Sequence, residues 1–269
     1  MSFSAKIILD STSPYTGTRI ITSELTYPRF VHSEFMTHRV FSRNAASSRA
    51  IPTRKMIAMV KENPAMPVFW GKNRRGMSAA EEMDDVTSSK ELWLEARDNA
   101  VEVAQKMLDL GMHKQIVNRI LEPWKWMTVI VTATQFSNFF ALRDHEDAQP
   151  EIAHIARMWK VAIDESVSVK REHHIPYIQE DEQDMDTEEK LKISTARCAR
   201  VSYLTHDGVR SIDKDLELYE RLRTGGGGGH WSPFEHPARA MALKTGMVAR
   251  SGNFTNWKQW RKTFEGECQ

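Results

Sequence analysis

Six cationic side chains fall between Arg29 and Lys55, namely Arg29, Arg39, Arg43, Arg49, Arg54 and Lys55, against one carboxylate, Glu34. Six cations less one anion leave +5 in a chain whose formal net charge is +1. Arginine can fork two donors onto a phosphate, and Ser42, Asn44, Ser47 and Ser48 interleave neutral donors with the cations. The chemistry this spacing allows is capture of a phosphate or polyanion; a solvated basic face is the alternative that charge alone leaves open.

A second cluster is GGGGGHWSPFEH, Gly225 to His236. Glycine lets backbone N–H groups approach a phosphate, but this run follows a helical pattern and has no lysine in the Walker position, so it is no dinucleotide fingerprint. Read structurally, it is a slack connection. The tail gathers two histidines, a glutamate and a serine around a rigid proline, which suggests a packed polar turn. His230, Glu235 and His236 are zinc-type side chains, but no HExxH or CxxC spacing accompanies them, and no metal is expected.

These residues resemble a known family. THRVFSRNAASSR (Thr37 to Arg49) is similar to the signature of flavin-dependent thymidylate synthases, with His38, Arg39, Ser42, Asn44, Ser47 and Arg49 at matching spacing. ARVSY (Ala199 to Tyr203), HWSPFEH (His230 to His236) and NFFALRDHEDAQPEI (Asn138 to Ile152) resemble three further family blocks, and Arg119 matches the arginine of an R-x-x-x-P turn ending at Pro123. In the family the ARVS and PFEH blocks precede the basic signature; here they follow it, so the chain looks circularly permuted.

The resemblance implies an enzyme that methylates dUMP to dTMP with FAD as cofactor and methylenetetrahydrofolate and NADPH as co-substrates, in a cytoplasmic homotetramer with shared sites. It implies His38, Arg39, Ser42, Asn44, Asn138, Ser202, His230, Ser232 and Glu235 as flavin-binding positions. For dUMP it implies Arg49 and Arg119 at the phosphate, Ser47 beside the base, Arg143 at the pyrimidine ring and Glu34 nearby, with Ser47 and Arg143 as the catalytic pair. Cys198 lacks the Pro-Cys-His setting of the unrelated cysteine-dependent synthases and reads as a small buried residue.

Three positions depart from the family pattern. Thr37 stands where the signature has its first arginine, Glu34 where a glutamine is usual, and Ala45 where Glu or Gln usually follows the asparagine. They leave open a related enzyme that converts dUMP or dCMP to a hydroxymethyl pyrimidine. NFTNWKQWRK (Asn253 to Lys262) is similar to the family helix before the signature, which makes Gln259 a candidate for the missing amide. A reading from another class is a non-catalytic nucleic-acid-binding module using the basic block, which requires salt-sensitive binding and no flavin.

The elements that must carry these residues read as α+β, a mixed or antiparallel sheet flanked by long helices. Thr18 to Tyr27 and Met127 to Thr134 are β-branched and read as strands. Phe30 to Arg54 reads as a helix giving way to a loop. Ser89 to Leu110 carries Trp93, Ala96, Ala100, Val103, Ala104, Met107 and Leu110 at helical spacing, with Gly111 as stop. His113 to Leu121 reads as a short helix, Pro150 opens one whose apolar face is Ile152, Ile155, Ala156, Trp159 and Ile163, and Asp215 to Arg223 forms another. A single domain over 1–269 is expected, with mobile loops near 60–89, 180–190 and 224–230, the second being the acidic run Glu180 to Lys190.

Composition narrows the classes. With 269 residues, 41% hydrophobic and 27% charged, the chain can bury a sizeable core, and neither disorder nor a fibrous repeat fits. Lys+Arg 37 against Asp+Glu 36 argues against coating nucleic acid or an anionic membrane. Two cysteines, Cys198 and Cys268, cannot build a disulfide framework and suit a reducing compartment. No signal peptide is expected, since the N-terminal residues lack a basic stretch followed by a long apolar run, and no apolar run is long enough to span a membrane. Of the 8 Trp and 14 Met, Trp93, Trp159 and Met107 fall on helical stripes and read as core, while Trp231, Trp257 and Trp260 are candidates for packing near flavin or a subunit interface.

Overall fold

β-branched residues that alternate around a buried backbone make strand β4, Trp126–Ala133, the centre of the fold. Its period of two sends Val129 and Val131 to one face and Ile130 and Thr132 to the other, and all four are buried. A sheet buried on both faces needs a helical layer on each side. The computed structural model of the chain describes residues 1–203, 211–225, 229–244 and 246–267, without the side chains of Ser202 and Tyr203.

In chain order the strands are β1 Ser4–Thr12, β2 Arg19–Pro28, β3 Ser42–Ala45, β4, β5 Val169–Lys170, β6 His173–His174, β7 Ala238–Ala240, β8 Arg250–Ser251, β9 Phe254–Thr255 and β10 Trp257–Gln259. The helices are α1 His32–Met36, α2 Thr53–Glu62, α3 Val86–Asp109, α4 Lys114–Val117, α5 Ser137–Arg143, α6 Pro150–Glu165, α7 Thr187–Tyr203 and α8 Ile212–Thr224. The principal sheet has the order β3-β4-β2-β1-β5, antiparallel except where β1 meets β5. A smaller antiparallel sheet has the order β10-β7-β6. The architecture is therefore α+β with mixed and antiparallel sheets flanked by helices.

On one face, α6 lays Ile152, Ile155, Ala156, Trp159 and Ile163 against Ile21, Leu25, Val129 and Val131, the face its spacing predicts. Trp159 closes this core and donates its indole N–H to Ser23 Oγ at 2.8 Å. On the other face, Ile130 packs with Cys198 and Val201 of α7. Cys198 is fully buried and burial pushes its thiol well up, so it rests as an un-ionised small side chain.

Several expectations change. The stretch from Phe30 to Arg54 holds only the short α1 before turning into β3, and α2 begins at Thr53, inside the segment read as loop. β1 is a further strand, paired with β2 along its length. α3 runs as its period predicts, but among its stripe Val103 and Leu110 face solvent and Ala104 is the buried residue. The helix from His113 is shorter than expected, passing at Asn118 into a 3-10 turn that contains Pro123.

The acidic run is not a solvated loop throughout. Glu182 is buried and grips Arg197 through two bonds of 2.6 and 2.7 Å, and α7 starts within the run at Thr187. Asn253 to Lys262 is β-structure and a 3-10 turn rather than a helix. Trp257 belongs to a buried cluster with Ile20, Ala238 and Phe254, so its role is core packing. Gly226 to Gly228 and Cys268 lie outside the described residues. Among the described residues no helix is long and apolar enough to cross a membrane.

Candidate active site

The basic block and the HWSPFEH block, nearly 190 residues apart in the chain, face each other across one cavity of about 730 Å³. One wall comes from 32–50 and includes His32, Met36, Phe41, Arg43, Asn44, Ala45, Ser47 and Arg49. The opposite wall is His230, Ser232 and Glu235, with Gln115 and Asn253 at the margins.

Asn44 joins the walls. Its amide nitrogen donates to the Cys198 carbonyl of α7 at 2.9 Å, and its amide oxygen accepts from Ser232 Oγ at 3.1 Å. One planar group thus ties the basic signature to α7, one residue before the ARVSY block, and to the HWSPFEH block. Strand β3 aims it there because its pairing with β4, Asn44 opposite Ile130, turns Asn44 toward the α7 face.

The loop that carries Ser47 and Arg49 is held from beneath. Asn118 Nδ2 donates to the carbonyls of Ser48 and Ile51, both at 2.8 Å, and Ser48 Oγ donates to Glu122 Oε1 at 2.6 Å. Lys125, only 2% exposed, donates to the Ala46 carbonyl at 2.9 Å. Burial lowers its ammonium to about 8, against the opposing pull of Glu122. Ser47 caps the following 3-10 turn by accepting from the Arg49 N–H at 3.3 Å. Arg49 therefore rises from a fixed turn into the cavity, and among the described residues no carboxylate pairs with it.

Arg43, half-buried in the same wall, donates through Nη1 to the carbonyls of Met36 and His38, both at 3.0 Å. Burial pushes its guanidinium below the ordinary value, yet an arginine remains cationic. Glu235 is held by Arg261 at 2.5 Å, which fixes its carboxylate at the cavity's rim. Ser42 lies behind the wall, accepting from Gln259 Nε2 at 2.8 Å. That contact requires Gly252, where an added Cβ would come within 2.1 Å of Gln259 Oε1 on a backbone at φ +57.

His38 is 4% exposed and lines no part of the cavity. Its Nε2 accepts from Arg143 Nε at 3.0 Å, which requires an unprotonated nitrogen. Burial, then Arg143 and Arg43, lower its pKa to about 4, in agreement. Arg143 also donates to Thr37 Oγ1 at 3.1 Å and to the Glu34 carbonyl at 3.4 Å. The Glu34 carboxylate accepts from Ser33 and is not part of the cavity wall.

Of the residues expected to act together, Asn44, Ser47, Arg49, His230, Ser232 and Glu235 share the cavity. His38, Arg143, Ser42 and Glu34 stand behind or beside it. Arg39 and Asn138 are exposed elsewhere, and Arg119 pairs with Glu122 at 2.9 Å. The Ser202 side chain lies outside the described residues. Arg43 was visible only as one more cation, and Gln115 and His32 carried no signature.

The turn that supplies Ser232 and Glu235 is anchored by a buried polar chain. His236 Nδ1 meets Thr132 Oγ1 at 2.9 Å, Thr132 meets Thr22 at 2.6 Å, Thr22 meets His174 Nε2 at 2.8 Å, and His174 Nδ1 meets Ser11 at 2.9 Å. Burial is the leading cause that lowers both histidines to about 3. An unfolded histidine binds its proton near 6.5, so between about pH 6.5 and 3 the unfolded chain holds more protons, and stability falls as pH falls. The expected loss is about 1.4 kcal/mol per pH unit for each of these two histidines, checked by urea midpoints at pH 7.5, 6 and 5. A midpoint that does not move between pH 7.5 and 5 would remove this account.

A family model described as Thymidylate synthase complementing protein, Thy1, matches residues 18–166, more than half of the chain. The chain belongs to this family. The matched region holds the basic block, Arg119 and Arg143, while the ARVSY and HWSPFEH blocks lie beyond it. Two solved structures of a UMP/dUMP methylase PolB from Streptomyces cacaoi resemble it. The one bound with 5-Br dUMP is 22% identical, with 54% of this chain and 66% of that chain covered and a TM-score of 0.46. The one bound with 5-Br UMP is 18% identical, with 60% and 88% covered and a TM-score of 0.49. The chain thus spans just under two thirds of the first of these. No curated protein matches it.

Proposed function

We propose that the chain is a flavin-dependent thymidylate synthase, methylating dUMP to dTMP with methylenetetrahydrofolate as one-carbon donor and NADPH as reductant. The observation that carries this reading is the single cavity in which Asn44, Ser47 and Arg49 meet His230, Ser232 and Glu235. The donor set suits a phosphorylated heterocycle: cations and amide or hydroxyl donors line it beside the apolar Met36, Phe41 and Ala45.

In this reading Arg49 binds the dUMP phosphate and Ser47 donates to the uracil. Asn44, His230, Ser232 and Glu235 would hold FAD, with Ser42 and His38 bracing the wall behind them. Bound flavin would supply the reducing equivalents that leave the transferred carbon as a methyl group. Arg143 locks the signature turn through His38 and Thr37. The exposed Arg39, Asn138 and Arg119, and Ser202, complete the proposed set, and in a homotetramer with shared sites the exposed ones would serve a neighbouring subunit. We read residues 1–269 as one circularly permuted domain in a cytoplasmic enzyme; the end of the family match at 166, before the ARVSY and HWSPFEH blocks, supports the permuted order.

A second reading is favoured by Ala45, a short side chain on the cavity wall where the family usually has Glu or Gln. The space it leaves would admit water beside the base, giving hydroxymethylation of dUMP or dCMP. Incubation with either nucleotide, methylenetetrahydrofolate and NADPH separates the readings by product mass. A gain of CH2 on dUMP is the expected result; a gain of CH2O selects the hydroxymethylase. A protein that takes up no flavin, by its visible absorption after FAD is added, sinks both.

A further inference from the structure

His32, the first residue of α1, lines the cavity, and its Nδ1 lies 2.9 Å from the hydroxyl of Tyr27. Burial, then Arg29, Arg43 and Lys125, lower its pKa to about 4 against the opposing pull of Glu122, so the ring is neutral at neutral pH. Tyr27 is fully buried, and burial raises its pKa, so it keeps its proton. Among the described residues His32 is the only hydrogen-bond partner of that hydroxyl. A buried O–H without an acceptor costs free energy, so the hydroxyl donates and Nδ1 accepts. The ring's one proton then sits on Nε2.

Nε2 has no partner among the described residues and, unlike His236 Nε2, is not closed off from solvent. The ring is held in place by stacking on Tyr27 and Phe35, at interplanar angles of 26° and 13°. A fixed, neutral N–H donor is therefore offered from the wall that also carries Ser47 and Arg49. Its neighbours on that wall are already engaged. Asn44 is bonded at both ends of its amide, and Arg43 Nη1 serves two carbonyls. Arg143 is turned away toward His38 and Thr37.

Uracil and cytosine both accept at O2 and differ in sense at C4, where uracil has a carbonyl and cytosine an amino donor. A free imidazole could serve either by moving its proton between nitrogens; the Tyr27 hydroxyl forbids that exchange. We propose that His32 is a specificity-determining residue whose Nε2–H donates to the C4 carbonyl of uracil and, locked as a donor by Tyr27, refuses the amino group of cytosine. Tyr27 is the positioning residue. The assignment rests on the proposed use of a pyrimidine nucleotide and selects dUMP within it.

The test is calorimetric titration of the FAD-loaded chain with dUMP and with dCMP, read as the ratio of the two affinities. Wild type is expected to favour dUMP by about tenfold or more. His32→Phe keeps a stacked ring without the donor: dUMP binding should weaken about tenfold while dCMP binding does not weaken and FAD absorption is unchanged. Tyr27→Phe removes only the lock, so the ratio should narrow; a merely structural hydroxyl would weaken both nucleotides equally. His32→Gln, whose amide can turn either its nitrogen or its oxygen to the base, should bind both nucleotides, and it keeps the test open if the phenylalanine variant does not fold. A wild type that binds neither nucleotide overturns the synthase reading and this assignment together. A wild type that binds dUMP without preference, a ratio unchanged in the His32 and Tyr27 variants, or a loss of FAD in His32→Phe overturns the assignment alone.

Discussion

Arg49→Ala is expected to weaken dUMP binding by about 10- to 150-fold while FAD binding and the fold persist. A hydrogen bond to a charged group contributes about 1.5–3 kcal/mol, and 1.4 kcal/mol is a factor of ten in affinity. Arg49 is well placed to give the full amount. Its turn is pinned by Asn118, Glu122 and Lys125, so the backbone that carries it needs no ordering by the ligand. Among the described residues it has no carboxylate partner to strand, so truncation leaves no buried orphan and little stability should be lost. Calorimetric titration with dUMP, beside the flavin absorption spectrum, reads the two effects separately. Unchanged dUMP affinity would remove Arg49 from the phosphate site.

Asp215→Ala is expected to cost about 3–5 kcal/mol of stability, the range for breaking a buried ion pair by removing one partner. Asp215 is 2% exposed and serves two arginines of α7. Arg197 Nε reaches Oδ2 at 2.9 Å, and Arg200 reaches Oδ1 through Nε at 2.8 Å and Nη2 at 2.6 Å. Its loss leaves Arg200 without that acceptor in the α7–α8 contact and leaves Arg197 with Glu182 and the Tyr177 carbonyl. A domain holds about 5–15 kcal/mol in all, so the variant would be marginal. Asp215→Asn, which keeps an acceptor, should lose less and give a measurable urea midpoint if the alanine variant does not fold. A loss below 1 kcal/mol in both would show that the clamp is not structural. The consequence extends to the cavity, because α7 also presents the Cys198 carbonyl that holds Asn44.

Where local pattern and tertiary burial agree, the chain can be read directly. The β-branched run of β4 and the apolar stripe of α6 are each buried by the partners their periodicity requires. β3 is different: Ser42, Arg43 and Asn44 have no strand preference, and pairing with β4 makes them one. Glu182 reads as solvated because nothing nearby predicts that Arg197 returns to it one helix later. Gln259 was legible as an amide near the signature but not as part of a strand, since β10 exists through its pairing with β7.

The candidate site divides in the same way. Ser47, Arg49, His230, Ser232 and Glu235 announce themselves by residue type and spacing. Gln115 and Asn253 reach the cavity margin only through the packing of remote elements, and Arg143 turns from the cavity because His38 offers it a neutral nitrogen.

The side chain at 44 must give a proton to one neighbour and take one from another, from a single flat end group one methylene from the backbone. Aspartate would set an anion against the Cys198 carbonyl, leucine would silence both neighbours, and glutamine would overshoot by a carbon. Asparagine meets both demands at once, so the joint between the two walls hangs on one amide rather than on the loops around it.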